Sequence, residues 1–276
     1  MSAAALSIVV VTFNARQDVL ACLHSVHAHP PDRPWQLVVV DNQSADGTPE
    51  AVARCWPAVP LLRLDENVGF AAANNIGIRQ TSSELILLLN SDTLVDAGQL
   101  EALCRALEGQ PGAAVAGPRL VDDTGRQEVS FGPMISPLGE TRQKLRARLL
   151  ADGPAVVRRR LAAAMVRRQF VDWVSGACLL VRRGAAEQVG LLDERYFMYC
   201  EDVDFCAALR TAGHQVLYVP EVTVTHLRGR SRATVPTLTT RRYRDSQLAF
   251  YRKHHPGWAW LLRWYLAARH ITGRRS

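Results

Sequence analysis

Short continuous apolar runs and helical periodicity alternate through the first part of the chain. The runs at 6–11, 36–40 and 85–89 are rich in β-branched or aliphatic side chains, and each gives way to polar residues. Runs of that length suit strands buried on both faces, as in parallel sheets. Between the first two, Val19, Leu20, Leu23 and Val26 recur on one face of a helix over 16–27. The pattern then predicts a helix over 49–55, a strand over 61–64, a helix over 71–80, a helix over 97–107 and a strand over 113–117. This alternation predicts a parallel α/β sheet wrapped by helices. Ligands of such sheets bind outside the carboxyl ends of the strands, where the polar residues fall here.

The second part is less regular. Pro and Gly punctuate 132–139, and the basic stretch 142–168 reads as one or two inserted helices. A strand follows over 174–181, then helices over 184–189 and 202–212, and a strand over 215–219 that 222–225 extends towards His226. The tail over 238–269 is helical and interrupted at Pro256-Gly257. No internal repeat or low-complexity linker divides the chain, so the expectation is one domain with a C-terminal extension.

Composition narrows the class. A chain of 276 residues with 48% apolar and 21% charged residues buries a sizeable core. No uncharged apolar stretch is long enough to span a bilayer. The N-terminus lacks a basic region followed by a separate apolar one, so cytoplasmic residence is expected. The six cysteines (22, 55, 104, 178, 200 and 206) form no CxxC pair and are expected to stay free as small apolar fillers. The net charge of +7 is concentrated in 142–168 and in the segment after Arg228. Leu, Ala, Val and Trp interrupt these basic blocks, a pattern that suits amphipathic helices at the inner face of a cell membrane and not a nucleic-acid arm.

Five constellations carry candidate chemistry. Thr12, Asn14 and Asp41 sit at the ends of the first two strands, where an acidic residue can accept from a nucleobase N–H; equally, Asp41 and Asn42 can serve as turn or cap residues. Asn67 and Gly69 precede a helix that contains Asn74 and Asn75, and a helix N-terminus suits a diphosphate. Asn90, Ser91 and Asp92 end the third apolar run, an acceptor-rich turn of the kind that holds a hard divalent cation beside phosphates. Glu201, Asp202 and Asp204 form an acidic cluster after Trp173 and Gly176; it can cap a helix or do acid–base work, because crowding raises a carboxyl pKa. His226 follows a strand and precedes Arg228, and neutral imidazole is a common metal ligand.

In this order the motifs resemble those of the family 2 glycosyltransferases, in particular a bacterial rhamnosyltransferase-like branch. The resemblance rests on Val9-Val-Val-Thr-Phe-Asn14, Val40-Asp-Asn-Gln-Ser44, Asn67-Val-Gly-Phe-Ala, Leu89-Asn-Ser-Asp92, Gly176-Ala-Cys, Glu201-Asp-Val-Asp204 and His226. It implies a GT-A fold: a Rossmann-like, mostly parallel central sheet flanked by helices, with a helical C-terminal extension. It implies inverting transfer of a sugar to a hydroxyl of a glycan or lipid-linked acceptor in cell-surface polysaccharide synthesis, assisted by Mg²⁺ or Mn²⁺; it favours L-rhamnose from dTDP-L-rhamnose, with a UDP- or GDP-sugar donor as the alternative. Asp41 would contact the base, lined by Thr12 and Asn14; Asn67, Gly69, Asn74, Asn90, Ser91 and Arg228 would line the rest of the nucleotide-sugar site. Asp92 and His226 match the metal positions, Asp202 the general base with Glu201 and Asp204 beside it, and Trp173 and Gly176 the acceptor side. Asn90 departs from the pattern, standing where many members carry the first metal-motif Asp. The implied organisation is a catalytic domain over 1–236, split into a nucleotide-sugar half (1–117) and an acceptor-binding half (118–236) that holds the insert 142–168, followed by an extension over 237–276.

Two other classes compete. A sugar-nucleotide nucleotidyltransferase would carry a Gly-rich basic loop after the first strand, where Thr12-Phe-Asn-Ala-Arg-Gln stands instead. A non-catalytic nucleotide-sugar-binding module would not need the acidic cluster at 201–204.

Overall fold

The computed structural model describes residues 5–136, 152–227 and 236–272, together with residues 139, 141, 142, 145, 148 and 149. The first half forms β1 (Leu6–Thr12), α1 (Arg16–Ala28), β2 (Trp35–Asp41), α2 (Thr48–Cys55), β3 (Leu61–Arg63), α3 (Phe70–Arg79), β4 (Leu85–Asn90), β5 (Thr93–Leu94), α4 (Gln99–Glu108) and β6 (Ala113–Val121). The second half forms β7 (Phe131–Gly132), α5 (Ala155–Met165), β8 (Gln169–Val171), β9 (Trp173–Val174), β10 (Cys178–Arg182), α6 (Arg183–Gln188), α7 (Glu201–Thr211), β11 (Gln215–His226), α8 (Pro236–His254) and α9 (Pro256–Thr272).

One nine-stranded sheet runs β3-β2-β1-β4-β10-β6-β11-β5, with β8 on the side of β11. The strands β3, β2, β1 and β4 are parallel neighbours. Because β10 is antiparallel to both β4 and β6, β6 and its parallel neighbour β11 point the same way as the first four. The sheet is therefore mostly parallel, as expected, and helices cover both faces. Successive strand side chains alternate faces. Val9, Val11, Val38, Val40, Ile86 and Leu88 pack with α3 and α7. Ile8, Val10, Leu37, Val39, Leu87 and Leu89 pack with α1 and α4. Every residue of β1 is buried, which explains why it reads as an apolar run broken only by Ser7 before Thr12.

Several elements differ from the expectation. The strand expected over 174–181 is two strands, because Ser175, Gly176 and Ala177 leave the ladder to make contacts at the cleft. The strand expected over 113–117 continues to Val121, so the boundary expected at 117/118 falls inside β6. The two-residue strands β5, β7 and β9 and the three-residue β8 are too short to show a period of two. The tail helix breaks at His255, one residue before Pro256, where proline removes a donor. All six cysteines are free, and Cys55 is the one that is exposed rather than buried.

β11 is a single long strand with an irregularity: Val219 pairs with Pro118, yet Thr223 pairs with the next residue, Arg119. Pro220 lies in this bulge, where its missing N–H is not needed for the ladder. Beyond it the strand reaches β5, and His226 pairs with Thr93. That register brings His226 beside Asp92. Among the described residues no helix is long and apolar enough to cross a membrane.

Candidate active site

The cleft lies at the carboxyl ends of the parallel strands, and direct contacts link its parts. Thr12 pairs with Asp41, and Val11 pairs with Asn90. The Asn90 N–H donates to the Ala177 carbonyl (2.9 Å), and the neighbouring Gly176 N–H donates to Asp202 Oδ2 (2.9 Å). The Leu227 N–H donates to the Asp92 carbonyl at 2.8 Å. Residues drawn from five strand ends and the start of α7 are thus brought together.

At the nucleotide end, Asp41 is 2% exposed. Its Oδ2 accepts from the Ser44 N–H (3.0 Å), whereas Oδ1 is buried with no protein partner. Thr12 Oγ1 and Asn90 Oδ1 are likewise buried and unpartnered. Leaving a buried acceptor unmet costs about 1–3 kcal/mol, so three at adjacent strand ends point to groups that a ligand satisfies. Asn14 adopts a left-handed backbone (φ 49°), and its Oδ1 accepts from the Ala45 N–H, closing the turn onto β2. Asn67 Oδ1 accepts from Asn42 Nδ2 and from the Gly69 N–H. Ser91 is half-buried between Asn90 and Asp92.

Gly69 has φ +87°, and a β-carbon there would lie 2.6 Å from the Phe197 carbonyl oxygen. The close approach that requires glycine is therefore made by residue 197, whose carbonyl also accepts from the Phe70 N–H at the start of α3 (2.7 Å). Asn74 turns inside: it is buried and donates to the Phe70 carbonyl four residues back. Asn75 is buried too; it bonds both the N–H and the C=O of Leu192 and reaches Glu194. These two asparagines tie α3 to itself and to the loop before α7, which explains their tolerance of a helix interior.

The metal candidates converge. Asp92 Oδ1 lies 3.3 Å from His226 Nε2, and His226 Nδ1 lies 3.0 Å from Glu128 Oε2. Burial of His226 favours neutral imidazole, but bonds and charges from Asp92 and then Glu128 outweigh it and raise the pKa above the ordinary value. Glu128 orients the ring so that Nε2 faces Asp92, as the outer partners of metal-bound histidines do. Sequence reasoning missed Glu128, a residue in an irregular segment with no periodicity or motif around it. Among the described residues no group of three His, Cys, Asp or Glu side chains forms a complete cage. Two protein ligands fit a hard cation that takes its other ligands from phosphate oxygens and water. Arg228 lies outside the described residues.

At the far side, Asp202 Oδ1 accepts from the Val203 N–H (2.8 Å) in addition to the Gly176 bond. A β-carbon at Gly176 would sit 3.3 Å from the Asp202 Cβ, so glycine lets the carboxylate approach that loop. Glu201 is buried with Oε2 unpartnered; burial first, and the charge of Asp202 second, push its carboxyl well above the usual range. Asp204 points elsewhere. It is 2% exposed and accepts from Tyr196 Oη, Lys253 Nζ (2.8 Å) and His254 Nε2 (2.6 Å), which anchors α8 to α7. Trp173, expected on the acceptor side, is buried; its Nε1–H donates to the Pro133 carbonyl, and its ring covers Gly132.

Residues 7–172 match the family model described as Glycosyl transferase family 2. The chain belongs to that family. It is 33% identical over 262 residues to the N-acetylglucosaminyl-diphospho-decaprenol L-rhamnosyltransferase of Mycobacterium tuberculosis, covering 89% of this chain and 85% of the relative. Among solved structures, the mannosyltransferase of Pyrobaculum calidifontis in complex with GDP-Man and Mn²⁺ superposes with a TM-score of 0.61 at 18% identity, covering 95% of this chain and 69% of that one. The 1–349 fragment of TarS from S. aureus in complex with UDP-GlcNAc gives 0.56 at 16% identity, covering 88% and 66%. The fold is GT-A, and this family member is a glycosyltransferase.

Proposed function

We propose that the protein transfers L-rhamnose from dTDP-L-rhamnose, with inversion, to a sugar hydroxyl of a lipid-linked acceptor at a membrane surface, binding nucleotide through 1–117 and acceptor through 118–236. The mycobacterial relative, a rhamnosyltransferase named for a lipid-diphosphate acceptor, supports the sugar and the acceptor class. The observation that carries the choice of nucleotide is the state of Asp41. One oxygen is taken by Ser44 and only Oδ1 is open. A single buried acceptor matches the one N–H of a thymine or uracil imide; the Watson–Crick edge of guanine offers two adjacent donors that would call for both oxygens.

Asp202 is the base in this reading. Burial pushes the Glu201 carboxyl up, while two backbone N–H groups hold and aim the Asp202 carboxylate. Asp202 takes the acceptor hydroxyl proton as that oxygen bonds to the anomeric carbon, and the diphosphate departs with the electron pair of the broken C–O bond. A Mg²⁺ or Mn²⁺ held by Asp92 and His226 would supply positive charge for the diphosphate. The open acceptors of Thr12 and Asn90 hold the nucleotide sugar in place.

Attachment to the membrane falls to α9. Trp258, Trp260, Leu261 and Trp264 are 52%, 58%, 41% and 71% exposed. No acidic residue follows Asp245, while Arg252 and Arg263 flank the aromatics. Interfacial tryptophan and basic side chains favour an anionic bilayer surface. Co-sedimentation with anionic and neutral vesicles tests this; equal, negligible binding to both would remove it.

The decisive assay measures nucleoside diphosphate release with dTDP-, UDP- and GDP-sugars, with and without Mg²⁺, in the presence of a prenyl-diphosphate N-acetylglucosamine. Turnover greatest with dTDP-L-rhamnose is expected. Preferential use of a GDP-sugar would overturn the reading of Asp41.

A further inference from the structure

Trp173 is buried, so acceptor recognition needs another surface near Asp202. A candidate stands where the segment 197–200, directly before Glu201 and Asp202, meets α8. Tyr199 and Cys200 both have positive φ (70° and 67°), a conformation that costs an L-residue about 1–2 kcal/mol and persists only where surrounding contacts enforce it. Those contacts come largely from α8. Ser246 Oγ–H donates to the Met198 carbonyl at 2.7 Å. The Tyr243 and Tyr199 rings meet edge to face with centroids 5.6 Å apart. The Arg242 guanidinium lies over the Phe197 ring, 3.9 Å from its centroid.

The result is a ledge of aromatic and thioether surface on the segment that leads into Glu201 and Asp202. Tyr243 remains 43% exposed and Met198 38%, although both belong to well-anchored segments. An exposed aromatic face suits a pyranose ring, whose C–H face stacks while its rim of hydroxyls stays available. Arginine stacked on a ring uses its flat face and directs its N–H groups in the plane, the geometry for a phosphate.

We propose that Met198, Tyr199, Tyr243 and Arg242 form the acceptor subsite, with the acceptor sugar stacked on Tyr243 and its linking diphosphate bonded by Arg242. The proposal rests on the reading of the protein as a transferase acting on a lipid-diphosphate-linked sugar. It extends acceptor recognition beyond 118–236 into α8, which follows the segment matched by the family model.

The test uses the full-length protein, dTDP-L-rhamnose, and two acceptors: N-acetylglucosamine on a short prenyl diphosphate, and the neutral octyl N-acetylglucosaminide. Tyr243→Ala is expected to raise the KM for both acceptors about tenfold, the scale of one aromatic contact, with the KM for the sugar nucleotide unchanged. Tyr243→Phe, which keeps the ring, is expected to restore the wild-type value. Arg242→Met is expected to raise KM about tenfold for the diphosphate acceptor and less than twofold for the neutral one. If wild-type enzyme transfers to these acceptors but Tyr243→Ala leaves both KM values unchanged, or lowers kcat alone, the subsite is wrong and the ledge merely supports the segment before the base. If Arg242→Met affects both acceptors equally, the diphosphate assignment fails. Absence of transfer by the wild type to either acceptor would instead overturn the underlying reading of the acceptor class.

Discussion

At the nucleotide end of the cleft, Thr12 Oγ1, Asp41 Oδ1 and Asn90 Oδ1 are buried without a protein partner, while at the other end Asp202 and Asp204 are bonded by backbone or side-chain groups. In the proposed reading, the first end is a receptor whose bonding the nucleotide sugar completes. The second is a set of carboxylates fixed by the protein itself, one aimed at the cleft and one turned into the scaffold. Glu201 is the exception at the second end: its Oε2 is buried without a partner, and burial raises its pKa. Mutations at the two ends should therefore have different signatures.

The largest effect is expected at Asp202. Asp202→Asn preserves shape and removes the proton acceptor, so kcat should fall by about 10²- to 10⁴-fold, the range for one general base. Binding of dTDP, measured by calorimetry, should stay near wild type, because the open acceptors at the other end are untouched. Near-normal kcat in this variant would move the base elsewhere and dissolve the contrast between the two ends.

Asp204 sharpens the contrast from the other side. Asp204→Ala strands His254, leaves Lys253 with Asp193 alone, and leaves the buried Tyr196 hydroxyl without its acceptor. Loss of one partner of a fully buried ion pair costs about 3–5 kcal/mol, and Lys253 is partly exposed, so we expect a loss near the lower end, about 3 kcal/mol. Urea unfolding measures it. A variant with wild-type stability and no activity would mean that Asp204 acts on substrate.

The same contrast explains what could be read from the chain. Thr12, Asp41 and Asn90 were legible because each ends an apolar run, and in a parallel sheet strand ends converge by topology. The strands β1, β2 and β4 and the helices between them followed directly from periodicity. At the other end, Glu201, Asp202 and Asp204 are adjacent in sequence, yet nothing local says which faces the cleft. That depends on Gly176, 26 residues before Asp202, and on Lys253 and His254, 49 and 50 residues after Asp204. Trp173 and Gly69 were expected to face acceptor and diphosphate, but the partners observed are the Pro133 carbonyl and the Phe197 backbone. Local pattern identifies such residues without revealing the distant segment each one meets.

Glu128 supports His226 from behind, and the smallest of the three effects is expected there. Its Oε2 lies 3.0 Å from His226 Nδ1, while Nε2 faces Asp92. With Gln in its place, a neutral amide oxygen still accepts the ring N–H but no longer raises the basicity of the imidazole. Outer partners of metal-bound histidines change metal affinity by about 10- to 100-fold when mutated. Glu128→Gln should therefore weaken Mn²⁺-dependent dTDP binding by that factor, about 1–3 kcal/mol, and leave metal-free dTDP binding unchanged. Calorimetric titration with and without Mn²⁺ separates the two. Equal weakening under both conditions would show that Glu128 shapes the cleft by packing, and His226 would lose its place as a metal ligand oriented from behind.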